Sequence, residues 1–169
     1  LFGTYFALMF EGLKTAPPVS AAAVFTLTPV IAAGFGWVLL RQVTTPRMAL
    51  ALTIGAVGAL WVIFRADLSA LRAFAIGRGE AIYFVGVICH AIYTPMVRKL
   101  NRGEPALVFT FGTLMGGGVV LTAVGGGDIV ATSWMSLPPL VWITLFYVAV
   151  IASAASVWLL QIATLRLPA

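Results

Sequence analysis

Pro17 to Leu40 reads PPVSAAAVFTLTPVIAAGFGWVLL, without one charged side chain. A helix rises about 1.5 Å per residue, so this stretch can cross a hydrocarbon core of about 30 Å. Further apolar blocks run over Met48 to Phe64, Ala81 to Val97, Pro105 to Val124 and Leu140 to Leu165. Each reaches the roughly 17 to 25 residues that a membrane helix requires. The blocks are continuously apolar, whereas a transmembrane strand alternates over about ten residues. The sequence therefore predicts an all-α integral membrane protein, a multi-helix bundle. Glycine and proline within the blocks agree with this, since both are more frequent in membrane helices than in soluble ones.

Composition points the same way. Hydrophobic residues make up 62% of the chain and charged ones 9%, against about 25% charged in soluble domains. Too little polar surface exists to wet a globule of one domain, so the surrounding solvent must be lipid. The net charge of +5 comes from Lys and Arg scattered over short connections rather than gathered on one face, which argues against a nucleic-acid partner. Cys89 is the sole cysteine and lies inside an apolar run, so it has no internal disulfide and no CxxC partner for a metal. No metal or cofactor is expected.

The chain begins with Leu1 rather than Met, and Leu1 to Phe10 spans only about 15 Å as a helix. It reads as the tail of a broken span, so five spans and a fragment are expected. The connections are Lys14 to Ala16, Arg41 to Arg47, Arg65 to Glu80, Arg98 to Glu104 and Gly125 to Pro139. In the third, Asp67 can cap a short surface helix carrying Leu68, Leu71 and Phe74 on one face. The even connections hold Arg41, Arg47, Arg98, Lys99 and Arg102, with Arg166 beyond the last span. By the positive-inside tendency these face the cytoplasm, on the cell's inner membrane.

Small residues recur at four-residue spacing: Ala51, Gly55 and Ala59; Gly112 and Gly116; Ala152 and Ser156. Such positions let helix backbones approach, and are read as internal packing, with a homodimer interface as the alternative. Pro29 deprives the Phe25 carbonyl of its helical donor and predicts a kink, with Thr26 and Thr28 placed to compensate. Pro95, beside Thr94, predicts another. Gly125-Gly126-Gly127-Asp128 lacks the lysine and strand-helix context of a phosphate loop and reads as a flexible connector.

Thr26-Leu27-Thr28-Pro29-Val30, the basic turn through Arg41, and Gly55-Ala56-Val57-Gly58-Ala59 together resemble the fourth and fifth helices of an EamA repeat. Arg41-Gln42 stands where that family commonly has Gly-Glu. Gly79-Glu80-Ala81, leading through Cys89-His90-Ala91-Ile92-Tyr93 to Arg98-Lys99, resembles the first helix of a second repeat, with His90 where the family usually has tryptophan. Sliding the chain along itself sets Leu8, Leu13 and Lys14 on Leu160, Leu165 and Arg166, and Phe6 on Trp158. The resemblance implies that 1–64 ends one repeat, 65–80 connects, and 81–169 starts the next, the chain being cut at both ends. Repeats of five helices would lie inverted across the bilayer. It further implies a drug/metabolite transporter that moves a small organic solute by alternating access.

His90 is the only histidine. It falls about 15 Å along the helix from Glu80 and about 12 Å from Arg98, near the bilayer midplane. An ionisable group at that depth suggests a solute contact or proton site; a neutral imidazole bonded to a helix carbonyl is the alternative. Tyr93 and Thr94 follow within a turn and can share its face. In the family resembled, the helices of Tyr5, Trp158 and Gln161 line the central cavity, which makes these three further candidates. Glu11 and Lys14 form an i, i+3 pair at a helix end. No catalytic residue emerges: the paired histidines of a zincin and a Gly-x-Ser-x-Gly turn are both absent, and no carboxylate falls within a complete block. A membrane-embedded enzyme with catalytic groups elsewhere, or an assembly subunit without transport, are the alternatives.

Overall fold

A computed structural model describes residues 1–68 and 76–166, including all of their side chains except those of 164–166. Among the described residues every regular element is helical, and five helical stretches are long and apolar enough to cross a membrane. They are Pro18–Leu40, Pro46–Ile63, Arg78–Leu100, Ala106–Ala131 and Pro139–Ala163. The chain divides into two compact units, Leu1–Lys99 and Leu100–Pro168.

The first unit contains α1 (Phe2–Leu13), α2 (Pro18–Phe25), α3 (Thr28–Leu40), α4 (Pro46–Ile63) and α5 (Arg78–Leu100). The opening stretch separates into two helices, α2 and α3, at Thr26 and Leu27. Pro29 enters the first turn of α3, where a missing N–H does least harm. The Phe25 carbonyl, denied a donor from Pro29, accepts from the Thr28 hydroxyl at 2.6 Å, and the Thr26 hydroxyl donates to the Ala23 carbonyl at 2.6 Å. In hydrocarbon no water can take over such an orphaned carbonyl, so the two threonines make the break tolerable. Helix α3 ends on Arg41 in the left-handed conformation, φ 56°. That is the position at which the resembling family commonly carries glycine, the residue for which this geometry is unstrained.

Helices α2 and α4 pack together. A core of Tyr5, Val24, Ile63, Phe64, Tyr83 and Val87 ties them to α1 and α5. The nearest backbone approach joins α1 to α5 through glycines. A Cβ on Gly12 would lie 2.7 Å from the Gly79 carbonyl oxygen, and one on Gly86 would lie 3.2 Å from the Tyr5 carbonyl oxygen and 3.1 Å from the Leu8 Cβ. These are not the small residues singled out by spacing. Ala59 of that set is buried, but a Cβ on Gly55, Gly112 or Gly116 would meet nothing within 4 Å. The packing assigned to these glycines is corrected accordingly: four-residue spacing marks a smooth face, and only a facing helix makes it a contact.

The second unit holds α6 (Ala106–Ala131), a 3-10 turn (Trp134–Ser136), α7 (Pro139–Tyr147), a π-helix (Val148–Ala155) and α8 (Ser156–Arg166). Its entry turn is closed by Glu104, whose carboxylate accepts from the Arg102 N–H at 2.7 Å. This bond to the charged form holds the exposed Glu104 carboxyl below the usual carboxylate range. A second correction concerns Gly125-Gly126-Gly127-Asp128, which continues α6 rather than forming a flexible connector. Glycine is a poor helix former in water, but where water is scarce an unpaired peptide costs more than glycine's lost freedom. The helix stops where the Thr132 hydroxyl bonds to the Asp128 carbonyl at 2.7 Å and the Trp134 ring N–H to the Ile129 carbonyl at 2.9 Å. A third correction follows, since Asp128 lies in α6 and Glu80 in the first turn of α5. Carboxylates thus do occur within the spanning helices, near their ends.

The sequence gives no hint of the π-helix interrupting the last span. The Ser156 hydroxyl shares its one proton between the Ala152 and Ser153 carbonyls at its end, supplying a donor where the helical ladder changes step. The surface helix expected from Asp67 onward, with Leu68, Leu71 and Phe74, falls largely on 69–75, outside the described residues.

The glycine contacts give a paired expectation. Gly12→Ala should destabilise the protein by about 1–3 kcal/mol, because a backbone carbonyl stands where the methyl must go. Gly116→Ala should cause no loss. Denaturant titration of the two variants in detergent measures the difference; equal stabilities would contradict the close approach of α1 and α5.

Candidate functional site: an aromatic box around His90

Tyr83, Gly86, His90 and Tyr93 recur at three- and four-residue steps along α5 and so form one stripe. Gly86, without a side chain, allows α1 to approach this stripe, and Tyr5 of α1 comes to lie over it. The Tyr5 and His90 rings are 4.7 Å apart between centroids, and the Tyr5 and Tyr83 hydroxyls are 3.3 Å apart. Phe25, at the end of α2, closes another side, 5.6 Å from His90 and 6.0 Å from Tyr5. Tyr93 completes the surround at 6.2 Å from His90, and Phe2 lies 5.5 Å from Tyr93. Offset aromatic contacts at such separations are attractive by about 0.5–1.5 kcal/mol each, beyond the area they bury.

Within this box the Nδ1 atom of His90 is buried and has no hydrogen-bond partner. A buried polar atom without a partner costs about 1–3 kcal/mol, and natural structures hold few of them. The alternative of an imidazole bonded to a helix carbonyl therefore does not apply to Nδ1. Thr94 places its hydroxyl 3.5 Å from the His90 carbonyl, which directs it along its own helix rather than into the box. Pro95 is almost fully buried in α5, and the helix runs through it.

The remaining candidates lie in the second unit. Gln161 is 1% exposed, and its amide nitrogen stands 3.5 Å from the Thr113 hydroxyl, linking α8 to α6. Trp158, three residues earlier, is 43% exposed. The structure thus gathers Tyr5, His90 and Tyr93 into one site and places Trp158 and Gln161 in the other unit. Two members were missed by sequence reasoning. Tyr83 could have been found, since it stands seven residues before His90 on the same face. Phe25 could not, because its approach depends on how α2 packs. Glu11 and Lys14 form an exposed ion pair at 2.6 Å. Among the described residues no three His, Cys, Asp or Glu gather into a group that could hold a metal ion.

An aromatic surround with one unsatisfied nitrogen offers stacking surface and a single directional polar contact, the composition of a site for a small organic molecule. Comparison with known proteins bears on which kind. Residues 1–64 match the family model of EamA-like transporters. Over 153 residues the chain is 28% identical to the uncharacterized transporter YyaM of Bacillus subtilis (strain 168), a match that covers 90% of this chain and 50% of that protein. The chain spans about half the length of the curated relative it matches. No solved structure matches it significantly. The likeness to EamA-type transporters read from the sequence is borne out, and the chain is a multi-pass membrane protein.

If the His90 nitrogen is held unsatisfied in this box, replacing the imidazole with an apolar ring should relieve that penalty while keeping the ring contacts. His90→Phe is expected to raise stability in detergent by about 1 kcal/mol. A loss of stability, measured by thermal unfolding, would show that the imidazole is bonded after all.

Proposed function

We propose that the full-length protein is a secondary transporter that moves a small organic metabolite or drug by alternating access, with two inverted EamA-like repeats rocking about a midplane cavity. It is not an enzyme, and it works in the cell's inner membrane. The reading is supported by the family match over 1–64 and by the likeness to YyaM, and one observation carries the site. That observation is the buried, unbonded His90 nitrogen facing the rings of Tyr5, Phe25 and Tyr93. An ionisable side chain kept at this depth with its Nδ1 unbonded contributes nothing to packing that an apolar ring would not supply, and suits a solute or proton contact.

In this reading Tyr5 and Tyr93 offer ring faces and His90 a hydrogen bond to the solute. Trp158 and Gln161 are the solute-contact candidates of the second unit, on the helix that is the counterpart of the one carrying Tyr5. Pro29 and Pro95 mark where the spans yield as the repeats rock. The remaining helices of a protein about twice this length would complete the wall.

The test is uptake by the full-length protein in proteoliposomes, screened over labelled amino acids, nucleosides and organic amines and then followed from pH 5 to 8. His90→Ala should lower uptake of the accepted solute by tenfold or more, or flatten its pH profile, since histidine alone changes charge across that range without a perturbed environment. Undiminished uptake with an unchanged profile would remove His90 from the transport site.

A further inference from the structure

Tyr5 is held against α5 at three places. Its backbone stands at Gly86, where a Cβ would lie 3.2 Å from the Tyr5 carbonyl oxygen. Its ring lies over His90, with centroids 4.7 Å apart. Its hydroxyl meets that of Tyr83 at 3.3 Å, and both tyrosines are buried. Residues 83, 86 and 90 follow at three- and four-residue steps, so the three contacts run along one stripe of α5 over about 10 Å. The first two leave the ring able to slide and tilt, because a glycine gives room without direction and ring packing tolerates a range of angles. The hydroxyl bond is directional, and away from water it is stronger than at a surface. Among the described residues no other hydrogen bond engages either hydroxyl. Two phenylalanines would pack the same rings without burying either oxygen, and exchanging both partners of a buried bond for apolar groups is often neutral in stability. What such a pair would lose is the fixed angle of Tyr5.

We infer that Tyr83 is a positioning residue of the His90 site: its hydroxyl fixes the ring of Tyr5 at the angle from which that ring meets the solute. The inference rests on the reading of the box as a transport site, and Tyr83 acts in it only through Tyr5. A ring left unfixed would have to be ordered by the solute itself, which weakens binding rather than slowing the crossing. The effect therefore falls on KM.

The experiment uses the full-length protein. With isotope-labelled histidine in nonionic detergent, the magnetic resonance signal of His90 is recognised by its loss in His90→Ala. Tyr5→Leu takes the ring away and so gives the direction in which that signal moves when the ring leaves. Tyr83→Phe should move it the same way, by part of that distance. In proteoliposomes, with labelled amino acids, nucleosides and organic amines as probes, Tyr83→Phe should raise KM fivefold or more for the probe taken up and leave Vmax within twofold of native. Tyr5→Phe should do the same, and the double variant no more than either single one, since all three lose one and the same bond. The double variant buries no lone hydroxyl and should unfold at the native temperature, which separates lost positioning from lost folding. A His90 signal unmoved by Tyr83→Phe would overturn the inference, as would single effects on KM that multiply in the double variant. If His90→Ala lowers uptake while Tyr83→Phe leaves KM as it was, this inference alone fails. If neither variant alters uptake, the transport reading of the box fails and this one with it.

Discussion

Inside a bilayer a peptide group has no water to fall back on, so each N–H and C=O has to be bonded within its own helix or by a side chain close by. That constraint shapes the elements of this chain where the helical ladder is interrupted at Pro29 and at the end of the π-helix. At Pro29 the threonines on either side of Leu27 supply hydroxyl donors to the Ala23 and Phe25 carbonyls. At the end of the π-helix the Ser156 hydroxyl is shared between the Ala152 and Ser153 carbonyls. Even the glycine run 125–127 stays helical, because leaving those peptides unpaired would be worse than ordering them.

Lipid offers no drive to press helices together, so contact comes from shape. Gly12, Gly79 and Gly86 let α1 and α5 approach closely enough for the Tyr5 ring to reach His90. The site is in this sense a product of what glycine lacks. A side chain at Gly86 would hold Tyr5 away, and the rings around the imidazole would lose their contact with it. The buried carboxylate of Glu80, nearer the end of the same helix, lies over Gly77 by the same means.

The spans were legible because length and unbroken apolarity are properties of one segment at a time. Features that depend on two segments were not. Spacing singled out Gly55, Gly112 and Gly116, which meet no neighbour, and passed over Gly12, the only glycine in the second half of α1. His90 stood out as an ionisable residue at depth, and Tyr83 was within reach as the same stripe one heptad earlier. Phe25 depends on the crossing of α2 with α4 and α5, and no pattern along the chain encodes that. The π-helix at Val148–Ala155 has the same composition as the α-helix on either side of it. The family likeness supplied what composition could not, a resemblance to transporters rather than merely to membrane proteins.

Alternation of the connections across the bilayer is the most direct consequence of five crossings. Single cysteines placed at Val43, Leu68, Arg102 and Ser136, in a Cys89→Ser background, can be labelled with an impermeant thiol reagent in intact cells and in inverted vesicles. The account predicts that Val43 and Arg102 label from the cytoplasmic face, and Leu68 and Ser136 from the opposite face. Labelling of all four from a single face would contradict it.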